Sequence, residues 1–202
     1  IHALSHGYDV VYIFDVEEED YTELPIKMNG IQSVVWSWDG KYLAFIGQTP
    51  KETDIYTYNF ETKEIKNLTN DIFSDKTPCW SYDGKLIYFA SDRFNLNTKE
   101  DADMGFKMYK HDYSQTEIYA IEVETGNVKR ITDMPHSNES FPIINPDGSE
   151  LLFISDLNGI NNIYRKKLIF SSGDDFISDV KDIKAEPVTN SQSGLYQLSA
   201  SK

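Results

Sequence analysis

The groups with the chemistry for catalysis in this 202-residue chain are few: four histidines, one cysteine and two serines ahead of Asp-Gly turns. Nucleophilic catalysis needs an activated Ser or Cys, a base and a third group that orients the base. Ser37 and Ser81 stand in matching contexts, "WSWDG" and "WSYDG", with no G-x-S-x-G elbow. A hydroxyl that recurs just before a turn is placed to bond turn backbone. Cys79 precedes Trp80 and reads as a packed thiol, and a single cysteine excludes an internal disulfide framework. His2, His6, His111 and His136 show no H-E-x-x-H or related pairing. Asp101, Asp103 and Gly105 in "DADMG" are spaced as an incomplete calcium loop, with the Gly one place early and Lys107 following. Asp54, Asp92, Glu117 and Asp156 read as loop residues bonding local backbone. No catalytic, cofactor or metal ligand is assigned.

The serines belong to a larger pattern. "VVWSWDGKYLAFIGQT", "PCWSYDGKLIYFASDR" and "PIINPDGSELLFISDL" align on Asp39-Gly40, Asp83-Gly84 and Asp147-Gly148. Three positions before each Asp is an apolar residue, Trp36, Trp80 or Ile144, and five after each Gly is Phe45, Phe89 or Phe153. A second element follows each copy: "DIYTYNFETKEIKNLTN", "EIYAIEVETGNVKRITD" and "NIYRKKLIF…AEPVTN". "VVYIFDVEEEDYTELPI" opens the chain as a version without its front half. Gly40 to Ile55 and Gly148 to Ile163 both span 15 positions, whereas Gly84 to Ile118 spans 34. Insertions held to two intervals, with the rest in register, are what loops on a fixed β scaffold show.

Each unit reads as four strands, a to d. Asp-Gly between apolar runs signals an a–b hairpin, expected here as a type I′ turn with positive φ at both central residues. Leu43 and Phe45 alternate with Tyr42 and Ala44 at the period of a strand. No sustained 3.6-residue apolar pattern marks a long helix. Tandem four-stranded units of this size predict an all-β propeller of antiparallel blades. A sandwich also gives regular short strands, but sandwiches do not normally repeat their turn chemistry in register.

The unit W-S-x-D-G-K, then D/E-I-Y, then φ-T-N/D, resembles the WD-like propeller repeat of the TolB-like family. Similar repeats occur in tricorn and prolyl-oligopeptidase-type propellers. Trp38 and Tyr82 stand where that family usually has Pro, Pro146 keeps it, and Asn145 replaces the Ser. The blades divide as 1–29 (partial), 30–70, 71–133 with a b–c insertion at 94–116, 134–190 with a c–d insertion at 171–182, and 191–202 as the first strand of another. The chain then reads as part of a six- to eight-bladed propeller. The alternative is a four-bladed disc whose terminal pieces share a blade, but a stop just before a turn favours the former.

With 33 acidic and 19 basic side chains, net charge −14, the chain should repel nucleic acid and anionic membrane surfaces. No apolar run approaches the roughly 18–20 residues a membrane helix needs, so no direct membrane insertion is expected. The b–c insertion carries Phe94, Phe106, Met108, Tyr109 and Tyr113 among charges. Such groups either form a protein interface or fold back on the blade. The resemblance implies a non-catalytic scaffold with protein partners in a bacterial envelope, periplasmic or outer-membrane-associated. The alternative it allows is the substrate-gating propeller of a serine peptidase whose catalytic domain lies outside these residues.

Overall fold

A computed structural model describes residues 1–50, 52–94, 96, 107–168 and 184–200. Strands β1 (His2–Ser5), β2 (Tyr8–Asp15) and β3 (Asp20–Met28) form a three-stranded sheet. Three four-stranded antiparallel meanders follow. The second sheet is β4 (Gly30–Trp36), β5 (Tyr42–Gln48), β6 (Thr53–Asn59) and β7 (Ile65–Asn67). The third is β8 (Asp75–Trp80), β9 (Leu86–Ser91), β10 (Glu117–Glu122) and β11 (Val128–Arg130). The fourth is β12 (Glu139–Ile144), β13 (Glu150–Ser155), β14 (Asn162–Lys167) and β15 (Glu186–Pro187). The helical content among the described residues is one 3₁₀ turn, Met108–Lys110.

Apolar side chains fill the seams between consecutive sheets. Phe45 and Leu43 of β5 pack against Val11, Leu24 and Ile26 of the first sheet. Ala44 and Ile46 of the same strand face Trp80, Ile87 and Phe89 of the third. On β10, Tyr119 and Ile121 point back to the second sheet, while Ile118 and Ala120 point on to Phe153 and Tyr164 of the fourth. The period-2 alternation in β5 therefore does not separate a buried face from a wet one. Ala44 is as buried as Phe45, because each central strand has a sheet on both sides.

The a–b turns correct the sequence expectation. Gly40, Gly84 and Gly148 have φ of 72°, 72° and 75°, but the aspartates before them are not left-handed. Each turn is a four-residue loop built on a type I turn, closed by Gly N–H bonds to Ser37, Ser81 and Asn145 carbonyls, all at 3.0 Å. Ser81 Oγ donates to Asp83 Oδ1 at 2.7 Å and accepts from Leu86 N–H at 2.9 Å. Ser37 repeats both bonds with Asp39 and Tyr42. In the third copy Asn145 Oδ1 accepts from Glu150 N–H at 2.8 Å, so the replacement keeps the acceptor.

Two further devices recur that the motif left unexplained. Thr69, Thr132 and Thr189 hydroxyls accept from the N–H of Ile55, Ile118 and Ile163 at 2.8–3.0 Å, tying strand d to the start of strand c. Each strand a also breaks register, between Gln32 and Val35, Lys76 and Cys79, and Ser140 and Ile143. Inside each bulge one residue is left-handed: Ser33 (53°), Thr77 (49°) and Phe141 (52°). These inner strands and residues 197–200 line a central cavity of about 580 Å³.

At the third seam Glu139 is fully buried, with Thr132 and Ser137 hydroxyls bonded to its carboxyl. Burial pushes it from the ordinary 4.5 up to about 8, against the pull of those hydroxyls. The folded chain thus holds this proton more tightly than the unfolded chain. Its contribution is full below about pH 4.5 and is lost as pH rises through about 8. Thermal melts of Glu139→Gln should show a flatter pH profile across that window and a gain over the parent above pH 8. Each pH unit of the displacement corresponds to about 1.4 kcal/mol. Denaturant unfolding of Ser81→Ala should show a loss of about 1–2 kcal/mol, since the buried Leu86 N–H loses its acceptor. Ser81→Asn, imitating Asn145, should recover most of it.

Candidate protein-interaction face

The b–c and d–a loops of the third sheet meet over a buried charge cluster. Arg93, the second residue after β9, is 1% exposed. It donates to both Asp75 oxygens at 2.7 and 2.8 Å and also to Asp71. Its guanidinium lies 5.5, 5.2 and 6.0 Å from the ring centres of Phe73, Phe89 and Tyr119. Burial raises Asp75 above the usual carboxylate range, while the two carboxylates drive Arg93 further up despite its own burial. The guanidinium fork is engaged by carboxylates, so the cluster is a foundation rather than an anion site.

A surface is built on that foundation. The Tyr119 hydroxyl donates to the Phe94 carbonyl, and Phe94 itself is left-handed at φ 57°. Arg130 reaches 5.6 Å from the Phe94 ring, pairing with Glu117 and, at 2.8 Å, with Asp133. Beside it His111 sits 3.6 Å from Asp92, with Tyr113 edge-on at 4.9 Å and Phe73 at 5.7 Å. Phe94 (52%), Tyr109 (78%) and Tyr113 (50%) remain exposed. Among the described residues of the insertion, His111 packs against Asp92 and Phe73, Phe94 is tied by Tyr119 and Arg130 yet half exposed, and Tyr109 and Tyr113 are exposed. Of the other nominated residues, Met108 begins the 3₁₀ turn, and Phe106 lies outside the described residues. Asp101, Asp103, Gly105 and the insertion at 171–182 lie outside them as well.

The repeat residues occupy less uniform places than their spacing implied. Trp80 is buried, its indole N–H 3.4 Å from the Val35 carbonyl. Trp36, its counterpart, is half exposed and stacks on Phe60 at 4.8 Å. The strand-end carboxylates reach further than their own loops. Asp92 and Asp156 accept from Ser74 and Asn138 N–H in the d–a segment. Asp54 is bonded by Asn67 and Thr69 of strand d, and Glu117 by Arg130. Cys79 lines the cavity with its thiol raised by burial, which disfavours the thiolate. Among the described residues no group of three His, Cys, Asp or Glu side chains is placed to hold a metal. No helix among them is long and apolar enough to cross a membrane. The Arg93 cluster was missed from sequence. Its one signal is a basic residue in a single copy, where the others have Thr49 and Leu157.

No family model matches the chain. The Tol-Pal system protein TolB of Francisella tularensis is 29% identical over 136 residues, 67% of this chain and 27% of that protein. An uncharacterized protein of Agrobacterium fabrum is 28% identical over 120 residues, 59% of this chain and 34% of that one. An uncharacterized peptidase of Bacillus subtilis is 30% identical over 120 residues, covering 56% and 15%. The chain spans about a third or less of the length of these curated relatives. Among solved structures, TolB from Acinetobacter baumannii superposes with a TM-score of 0.61 over 92% of this chain and 39% of that one, at 23% identity. A prolyl endopeptidase gives 0.54 at 18% identity, over 83% of this chain and 27% of that one. Sequential four-stranded meanders around an inner cavity, repeated turn chemistry and these superpositions together give the chain the TolB-like β-propeller fold.

Proposed function

We propose that this propeller is a non-catalytic protein-interaction scaffold of the bacterial cell envelope, periplasmic or outer-membrane-associated. The observation that carries the reading is the exposed aromatic group Phe94, Tyr109 and Tyr113 near the corner where Phe94 and His111 are tied to the third sheet. Aromatic side chains supply large contact area at low entropic cost, and the contacts of Phe94 with Arg130 and of Tyr113 with His111 help pre-organise two of the three rings. The likeness to a Tol-Pal system protein supports the envelope assignment. The serine and cysteine groups read above are committed to turn backbone or packing, which favours a scaffold over a catalytic domain. Neighbours that are peptidases make a substrate-gating propeller the competing reading.

Photo-crosslinking of the full-length protein in cells tests the proposal. A p-benzoylphenylalanine at Tyr109 should capture a defined envelope protein, whereas the same probe at Lys63, on the opposite c–d side, should not. With that partner purified, Tyr109→Ala combined with Tyr113→Ala should weaken the complex by about tenfold or more. Equal capture at both positions, or labelling of the full-length protein by a fluorophosphonate serine-hydrolase probe, would overturn the scaffold reading.

A further inference from the structure

The cavity at the propeller axis differs chemically from the rest of the molecule. A quarter of the chain is charged (26%), yet none of the described residues lining this cavity is charged. It continues, through Trp38, Ile143 and Ile144, into a second space of about 540 Å³ under the a–b turns. There the charged lining residue among the described ones is Glu150, whose carboxylate has Arg165 Nη1 3.8 Å away.

Three equivalent turn positions, Trp38, Tyr82 and Pro146, border this mouth. The Trp38 and Tyr82 rings lie 5.2 Å apart at 44°, and Tyr82 is half exposed. Deeper in, the aromatic walls alternate with hydroxyl and amide groups: Ser33, Thr77, Gln197 and Ser199. Both spaces fall within the usual few hundred Å³ of a small-molecule site.

The inner edges of β4, β8 and β12 look like places for an extended peptide to add as a strand, but they are blocked. Each carries a bulge with a left-handed residue, and Pro78 and Pro142 remove an N–H directly after two of them. Bulges and prolines disrupt the regular donor–acceptor row that strand addition requires. The described residues of the wall offer no charged group to compensate a phosphorylated, anionic or cationic ligand on desolvation, so this wall suits a neutral one better.

We infer that the channel and its Trp38–Tyr82 mouth form a binding site for a neutral oligosaccharide. A saccharide ring offers an apolar C–H face to an aromatic side chain and a rim of hydroxyls to Ser, Thr and Gln side chains, with no charge to balance. The site stands apart from the Phe94–Tyr113 corner and holds whether or not that corner binds a protein.

Trp36, Trp38 and Trp80, the three tryptophans of this chain, all line the space, so their emission responds to its occupancy. Titrating the full-length protein with cellotriose, maltotriose and tri-N-acetylchitotriose should give a saturable change in emission with at least one, at a Kd of about 1 mM or tighter. Tri-galacturonate, the anionic control, should give none. Tyr82→Ala, at an exposed turn, should weaken binding about tenfold with unchanged thermal stability. Calorimetry supplies a second readout that does not depend on the tryptophans. No saturable response to any neutral trisaccharide up to about 10 mM, or an undiminished response in Tyr82→Ala, would overturn the inference. Saturation by an uncharged proline-rich peptide but by no sugar would do so as well, and would assign the site to a protein segment.

Discussion

Burial of both faces of every central sheet is the constraint on which this structure rests. A central four-stranded meander standing alone would leave both of its apolar faces wet. Here Phe45 is covered by the sheet before it and Ala44 by the sheet after it, and β9 is buried along its whole length. Each sheet is therefore stable only as a member of a stack. Sheets that must pack in sequence around an axis leave their first strands innermost, and the cavity follows from that arrangement.

Burial on both faces also forces polar groups into the seams, where they must be satisfied. The threonine hydroxyls at the ends of strands d meet the N–H groups of strands c, and Glu139 survives at its seam by keeping a proton. Arg93 follows the opposite course, remaining charged between two carboxylates and three aromatic rings. Removing one partner from such a cluster strands a buried charge, so the loops it joins are held closely. Phe94, directly after Arg93 in sequence, thus stays half exposed beside one of the most buried charges among the described residues.

The turn chemistry was legible in the sequence because it is local. Ser81, Asp83 and Gly84 lie within four positions, and their bonds need nothing beyond the hairpin. The turn type was misread because Asp-Gly alone does not distinguish a two-residue from a four-residue loop. That choice is made by the serine hydroxyl reaching across to Leu86. The strand bulges gave no signal, since Ser33, Thr77 and Phe141 share no residue type and none is glycine. Part of the aromatic insertion could be nominated from sequence, but its anchorage through Phe94, Arg130 and His111 could not.

The sequence by itself determined the all-β class, the tandem four-stranded repeat and the backbone role of its serines, because period-2 patterning and turn residues act over a few positions. Tertiary structure decided which copies bury their tryptophan, which carboxylates share Arg93, and which residues of the first strands line the inner cavity. Those outcomes depend on contacts between sheets and loops dozens of residues apart, and no local pattern encodes which group will face which.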